Sequence, residues 1–214
     1  MLVKILGNKY LLSRNGLLPI IPDFGKAKKL EGHDKLKGRV SLIIGGNSGI
    51  GLSIVKTFLR EGATVVASAR HLGELEAINS SQFEFLKWDI AEVETSKKHI
   101  DYLFEKYGFV DDIVICAGVN VCPNNNETDN VKKKWIETEF VHSINVICVC
   151  EICKYILEKA KNLKNNRQPK VINVISSGAY MATPEPYFTS KHALMSFTMA
   201  FMKESEGILR VYGI

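Results

Sequence analysis

A doubly wound α/β fold with a parallel sheet is predicted by three features of the sequence. Strand-like apolar runs alternate with helical patterns, a glycine-rich turn joins the first such strand to the first helix, and the cysteines lack the spacing of a disulfide framework. With 214 residues, 46% of them hydrophobic and 24% charged, the chain suits one well-filled core.

The elements follow in order. "RVSLIIG" (39–45) is a continuous apolar strand, and "GIGLSIVKTFLREG" places Ile50, Ile54, Val55, Phe58 and Leu59 at helical spacing before Gly62 stops it. "TVVASA" (64–69) is the next strand, and "FEFLKWDI" (83–90) the third. "AEVETSKKHIDYLFEKYG" reads as a helix closed by Gly108, and "DIVICAG" (112–118) as a fourth strand. A long helix is expected over 140–163, then the loop "KNNRQP", the strand "KVINVIS" (170–176) and a helix from about Tyr187 to Glu204. Strands alternating with helices imply parallel pairing, right-handed crossovers and a sheet covered on both faces. Residues 1–36 precede this pattern and are expected to be an extension packed on the surface, with the domain running from 37 to 214.

Composition excludes several classes. The formal net charge is +5, and the lysines at 26, 28, 29, 35, 37, 132, 133 and 134 are scattered, which suits a solvated surface and not a nucleic-acid patch. No apolar run approaches the ~20 residues of a membrane span. The opening "MLVKILGNKYLLSRNGLLPIIPDF" lacks the core and cleavage site of a signal peptide, so a cytoplasmic location is expected. Cys116, Cys122, Cys148, Cys150 and Cys153 read as reduced thiols. Cys150-x-x-Cys153 has no second Cys or His pair nearby, so no metal site is expected. His33, His71, His99, His142 and His192 are dispersed, and Trp88 and Trp135 read as packing residues.

In a doubly wound sheet, ligands sit beyond the carboxyl ends of the strands, where a helix start offers unpaired N–H groups to an anion. Gly45, Gly49 and Gly51 fall at that position. They are expected to permit positive φ and to let a pyrophosphate approach the backbone, the signature of a dinucleotide site.

"IGGNSGIG" resembles the T-G-x-x-x-G-I-G cofactor loop of the classical short-chain dehydrogenases/reductases, and "YFTSK" (187–191) resembles that family's Y-x-x-x-K motif. "WDI", "ICAG", Asn145 and "VISS" resemble lesser family motifs in the same order. The resemblance runs from about Lys37 to the end of the chain and implies a Rossmann fold. It also implies a fold apparently truncated at the C-terminus, because "GILRVYGI" resembles the start of a strand that the family follows with a substrate-covering loop and a last strand. Implied for the cofactor are Gly45, Asn47, Ser48, Gly49, Ile50, Gly51, Arg70, Asp89, Ile90, Ala117 and Gly118, together with Tyr187 and Lys191. Implied for catalysis are Tyr187 as acid/base, Ser177 as donor to the substrate oxygen, Lys191 as partner of Tyr187 and of the ribose, and Asn145 as holder of a water that links Lys191 to solvent.

Part of this chemistry is readable without the family. Tyr187 and Lys191 lie four apart and share a helical face, and an ammonium beside a phenol favours phenolate. Asn145 lies inside a helix, where its side chain competes for backbone hydrogen bonds, which points to a functional reason for it. At the end of the second strand, Ala69 stands where an NAD-specific enzyme carries an acid, and Arg70 follows it. A guanidinium suits a 2′-phosphate, so NADP is expected over NAD, the alternative being that Arg70 only extends from a strand end into solvent. Ile44 and Ile115-Cys116 depart from the family pattern, so the hydrogen bonds made there must be lost or replaced. Ser177 also precedes Tyr187 by ten positions, a short gap carrying Pro184 and Pro186. The reading is an NADP-dependent oxidoreductase acting on a small carbonyl/alcohol pair and forming a homo-oligomer through its long helices. The alternatives are a catalytically silent nucleotide-binding or scaffold homologue, a gene fragment, and an epimerase or dehydratase relative.

Overall fold

The computed structural model describes residues 34–123, 125–163, 167–181 and 183–214 with their side chains, and the backbone of three N-terminal strands. Those strands, Leu2–Ile5 (β1), Asn8–Ser13 (β2) and Gly16–Pro19 (β3), form an antiparallel sheet in the order β1-β2-β3, with Leu2 opposite Leu11 and Tyr10 opposite Pro19. Of the segment 1–36 expected to pack on the surface, residues 1–33 lie outside the described side chains, and Leu36 packs against the core on the Ile43 face.

The second sheet is parallel throughout. Its strands are Val40–Ile44 (β4), Thr64–Ala69 (β5), Phe83–Lys87 (β6), Asp112–Ile115 (β7), Lys170–Asn173 (β8) and Arg210–Gly213 (β9), in the order β6-β5-β4-β7-β8-β9. Strand order reverses between β4 and β7, which is where a doubly wound sheet opens a crevice. Helices Gly49–Arg60 (α1), Val93–Tyr107 (α2), Asn130–His142 (α3), Val149–Lys161 (α4) and Pro186–Glu204 (α5) complete the domain. Alternation along β4 explains the two cores. Leu42 and Ile44 face α2, α4 and α5 through Ile100, Ile152, Ile156, Leu194 and Phe201, whereas Ile43 faces α1 through Leu52 and Val55.

Helix ends match their residues. Gly62 (φ +84) follows α1, and Gly108, at φ 69, is the left-handed cap of α2. Strands β6, β7 and β8 end earlier than their apolar runs, because the residues beyond them leave the strand ladder for loops, in which Trp88, Ile90 and Ile175 stay buried. The largest departure from expectation is the long helix. It starts at Asn130, ten residues before the predicted point, because Asp129 accepts hydrogen bonds from Val131 and Lys132 N, both at 2.9 Å. It also continues through a π-helical segment, Ser143–Cys148, into α4. The resulting 32-residue helix is long and apolar enough to cross a bilayer, but half of its apolar window is buried inside the protein. Ile144, Cys148, Val149, Ile152 and Ile156 spend that apolar surface on the domain core.

Charge closes the amino ends of the central strands. Arg39 donates from Nε and NH2 to Asp112 at 2.8 and 2.7 Å, and Asp111 accepts the backbone N–H of Val40 at 2.9 Å. Both aspartates are buried, and the carboxylate of Asp112 holds the Arg39 guanidinium above its ordinary pKa. Arg167 also donates to Asp111, and Lys170 approaches Asp112 at 3.6 Å. Removing the fork leaves Asp112 buried with a long hydrogen bond from Ser41 Oγ at 3.4 Å and the more distant Lys170. Arg39→Ala is therefore expected to cost about 2 kcal/mol and to lower the melting temperature by roughly 4–8 °C, read by calorimetry.

Candidate active site

A crevice of about 490 Å³ opens at the carboxyl ends of β4, β5, β6 and β7. Every non-catalytic residue expected to bind a cofactor lines it: Gly45, Asn47, Ser48, Gly49, Ile50, Gly51, Arg70, Asp89, Ile90, Ala117 and Gly118. His71, Trp88, Phe140, Ile144 and Val174 line it too, and only the fold could nominate these.

The glycines serve different ends. At Gly45 (φ +83) an added Cβ would come within 2.6 Å of Ala117 N, so this glycine lets β4 and β7 close on each other. At Gly51 it would collide with the carbonyl of Gly45, so this one lets α1 begin against the strand end. Gly51 does not have the positive φ expected of it; Gly45 and Gly49 do. Gly49 (φ +51) faces open space, which leaves the first turn of α1 bare toward the crevice. No acidic residue stands in that turn, and Ser48 at the N-cap makes no side-chain bond to it. These N–H groups and the positive helix end fit a phosphate. At the departures Ile44 and Cys116 the two strand ends are joined by backbone: Cys116 N and Ala117 N both donate to Ile44 O, at 2.8 and 3.0 Å.

The catalytic candidates come from α5 and the π segment. Lys191 is only 5% exposed. It donates to Val174 O at 3.1 Å, and its Nζ lies 5.8 Å from the ring centroid of Tyr187 on the preceding turn. A Cβ on Gly118 would sit 3.5 Å from that ammonium, so the lysine reaches the wall of the crevice. Burial lowers the Lys191 pKa, opposed by the nearby Cys116. The Cys116 thiol is pushed up to about 11 by its own burial.

Asn145 is fully buried at the centre of the π segment, a helix distortion frequent at functional sites. Its Nδ2 donates to Val119 O at 2.7 Å and to Ser190 Oγ at 3.0 Å, and its Oδ1 accepts from Val119 N at 2.8 Å. Ser190 in turn donates to Tyr187 O at 2.7 Å. Both amide hydrogens of Asn145 are thus engaged, so its side chain clamps the loop after β7 to the Tyr187 helix. Only a lone pair on Oδ1 remains for the water the sequence assigned to it. Ser190 and Val119 had no sequence signal.

Ser177 stands apart. It is exposed and its hydroxyl makes no hydrogen bond among the described residues. It opens a short 3-10 turn (177–180), held to α5 where Phe188 packs on Gly178. Ser176, just before it, has φ 142, a region that costs non-glycine residues ~1–3 kcal/mol. No metal-holding group of three or more His, Cys, Asp or Glu side chains occurs among the described residues. Cys153 instead points its buried thiol at Asn173 Oδ1.

The sequence pattern of the short chain dehydrogenase family matches residues 39–214, which is most of the chain. The chain belongs to the short-chain dehydrogenase family. Curated relatives include the secoisolariciresinol dehydrogenase of Forsythia intermedia, 31% identical over 77% of this chain and 59% of its own length. Another is the NADP-dependent (R)-specific alcohol dehydrogenase of Lentilactobacillus kefiri, 29% identical over 75% of this chain and 64% of its own. The chain thus spans about six-tenths of the length of these relatives. Solved structures share the fold: a short chain dehydrogenase from Mycobacterium smegmatis superposes with a TM-score of 0.71 at 23% identity, covering 88% of this chain and 80% of that one. One from Bacillus anthracis gives 0.70 at 23% identity, covering 83% and 73%.

In this short-chain dehydrogenase the buried Lys191 charge works against folding. Below its lowered pKa the ammonium is charged and desolvated, and the penalty is relieved as pH rises from there toward the unfolded value near ~10.4. Lys191→Met is expected to raise the melting temperature at neutral pH by about 2–4 °C, equivalent to ~1 kcal/mol, and to abolish that alkaline gain. Thermal melts of both proteins between neutral and alkaline pH test this.

Proposed function

We propose that this chain is an NADP-dependent oxidoreductase that interconverts a small carbonyl and its alcohol, with Tyr187 as the acid/base. The observation that carries the reading is the crevice: eleven residues chosen from sequence line one cavity, and the buried ammonium of Lys191 reaches its wall. The bare N-terminus of α1 and the glycine turn fit a pyrophosphate, and Arg70, exposed at the end of β5 with no acid at Ala69, fits a 2′-phosphate. Asp89 and Ile90 border the crevice on the β6 side and suit the adenine end. The nicotinamide, when bound, supplies or accepts the hydride.

The remaining chemistry belongs to the protein. Tyr187 gives a proton to the carbonyl oxygen in reduction and takes it back in oxidation. Lys191, held to Val174 O with its ammonium 5.8 Å from the Tyr187 ring centroid, would bind the ribose. Asn145 and Ser190 fix the helix that carries both. Ser177, exposed at the start of its 3-10 turn, would steady the substrate oxygen once its hydroxyl turns inward on binding. The relative from L. kefiri, NADP-dependent by name, supports the same cofactor.

A homo-oligomer through the long helix is part of this reading. Val131, Trp135 and Ile136 are exposed on α3, with Trp135 75% accessible. Lys132, Lys133 and Lys134 lie between Val131 and Trp135, and Glu137 and Glu139 follow Ile136. An antiparallel pair of α3 helices sets each basic end against the partner's acidic end while covering Trp135. Trp135→Asp is expected to shift the species seen by light scattering to monomer.

Tyr187→Phe removes only the hydroxyl. Carbonyl reduction, followed by NADPH absorbance over a panel of aldehydes and ketones, is expected to fall ~10²–10⁴-fold in kcat and kcat/KM together, with nucleotide affinity retained. Wild-type turnover by the variant would remove Tyr187 from the mechanism.

The cofactor is tested separately. Fluorescence titration is expected to show tighter binding of NADPH than NADH, and Arg70→Ala combined with Ala69→Asp to flatten or reverse that order. Tighter NADH binding by the unaltered chain would overturn the preference.

A further inference from the structure

The loops after β4 and β5 are tied together at the mouth of the crevice. Gly45 N and Gly46 N both donate to Ser68 O, at 2.8 and 3.1 Å. Two residues further along, the Asn47 side chain donates from Nδ2 to His71 O at 3.2 Å. Gly73 (φ +57) lies directly against it, since a Cβ added there would sit 3.3 Å from Asn47 Nδ2 and 3.3 Å from Asn47 O. Asn47 therefore bridges the phosphate-facing glycine turn to the segment 70–73 that follows β5.

That segment carries Arg70. Its guanidinium is exposed and takes part in no ion pair among the described residues, so its direction depends on the backbone beneath it. β5 releases that backbone after Ala69, the last residue paired with β6, and a short helical turn takes it up again at Gly73. Between those points His71 is anchored to the glycine turn by Asn47. An anchored backbone lets a long flexible side chain meet a phosphate with less ordering entropy left to lose on binding.

We propose that Asn47 is a positioning residue for nucleotide selection: it holds the 70–73 segment so that Arg70 faces the 2′-phosphate of the dinucleotide. The proposal rests on the NADP reading above and goes beyond it, because it places part of the selectivity on a residue that acts through Arg70. NADPH and NADH differ only in that phosphate, so the ratio of their affinities isolates the effect. A residue that touched only the pyrophosphate, which both nucleotides share, would weaken both equally.

The experiment is a double-mutant cycle on the full chain, with dissociation constants for NADPH and NADH measured by fluorescence titration for the parent, Asn47→Ala, Arg70→Ala and the pair. Asn47→Ala is expected to weaken NADPH about tenfold more than NADH, and to add less than about twofold to the NADPH loss once Arg70 is alanine. Gly73→Ala, which pushes on the same contact from the other side and strains a positive φ, is expected to shift the ratio in the same direction. Thermal melts confirm that each variant is folded, and Gly73→Ala carries the test if Asn47→Ala is not. Equal losses for both nucleotides, an undiminished effect of Asn47→Ala in the Arg70→Ala background, or an unchanged ratio would each overturn the proposal. If the parent prefers NADPH and Arg70→Ala removes that preference while Asn47→Ala does not, the positioning role alone fails. A parent with no preference would remove the NADP reading and the positioning role together.

Discussion

Where β4 meets β7, two backbones approach too closely for any side chain between them. The carbonyl of Ile44 accepts from two successive amides of the neighbouring strand end, and Gly45 lies against Ala117 at a distance no Cβ allows. This contact lies at the point where strand order reverses, so the loops on either side are thrown apart and the crevice opens between them. The bare start of α1, the floor at Cys116 and Gly118, and the approach of Lys191 are all referred to it.

Polar burial is concentrated at the two ends of the sheet and differs in kind. At the amino end, buried carboxylates are matched by Arg39, Arg167 and Lys170, an arrangement that joins the starts of β4, β7 and β8. At the carboxyl end a buried ammonium has a backbone carbonyl and no carboxylate among its described partners. The first satisfies its charges and holds the fold; the second leaves a charge under-compensated beside the crevice wall at Gly118. Stability given up at a site and recovered elsewhere is a common trade in enzymes.

The sheet was legible because parallel strands buried on both faces write continuous apolar runs, as "SLII" and "VVASA" do. The glycine turn was legible because steric exclusion leaves few residues able to stand there. The start of α3 was not: residues 131–136 are all exposed, so no apolar face repeats along it, and the cap at Asp129 was the available signal. The ties of Asn145 to Ser190 and Val119, and of Asn47 to His71, join residues distant in sequence through single hydrogen bonds, which leave no periodicity. Tyr187 and Lys191 could be paired from their spacing because one helix carries both, whereas Ser177 sits on a separate turn whose direction depends on the unusual backbone of Ser176.

The floor of the crevice has a consequence for chemical labelling. Cys116 lines it with a thiol whose pKa burial pushes up to about 11, so at neutral pH the sulfur is protonated and a poor nucleophile. Electrophilic probes that report thiolates will pass over this cleft whether it is filled or empty, and a covalent inhibitor aimed at it would have to rely on fit and residence time before bond formation.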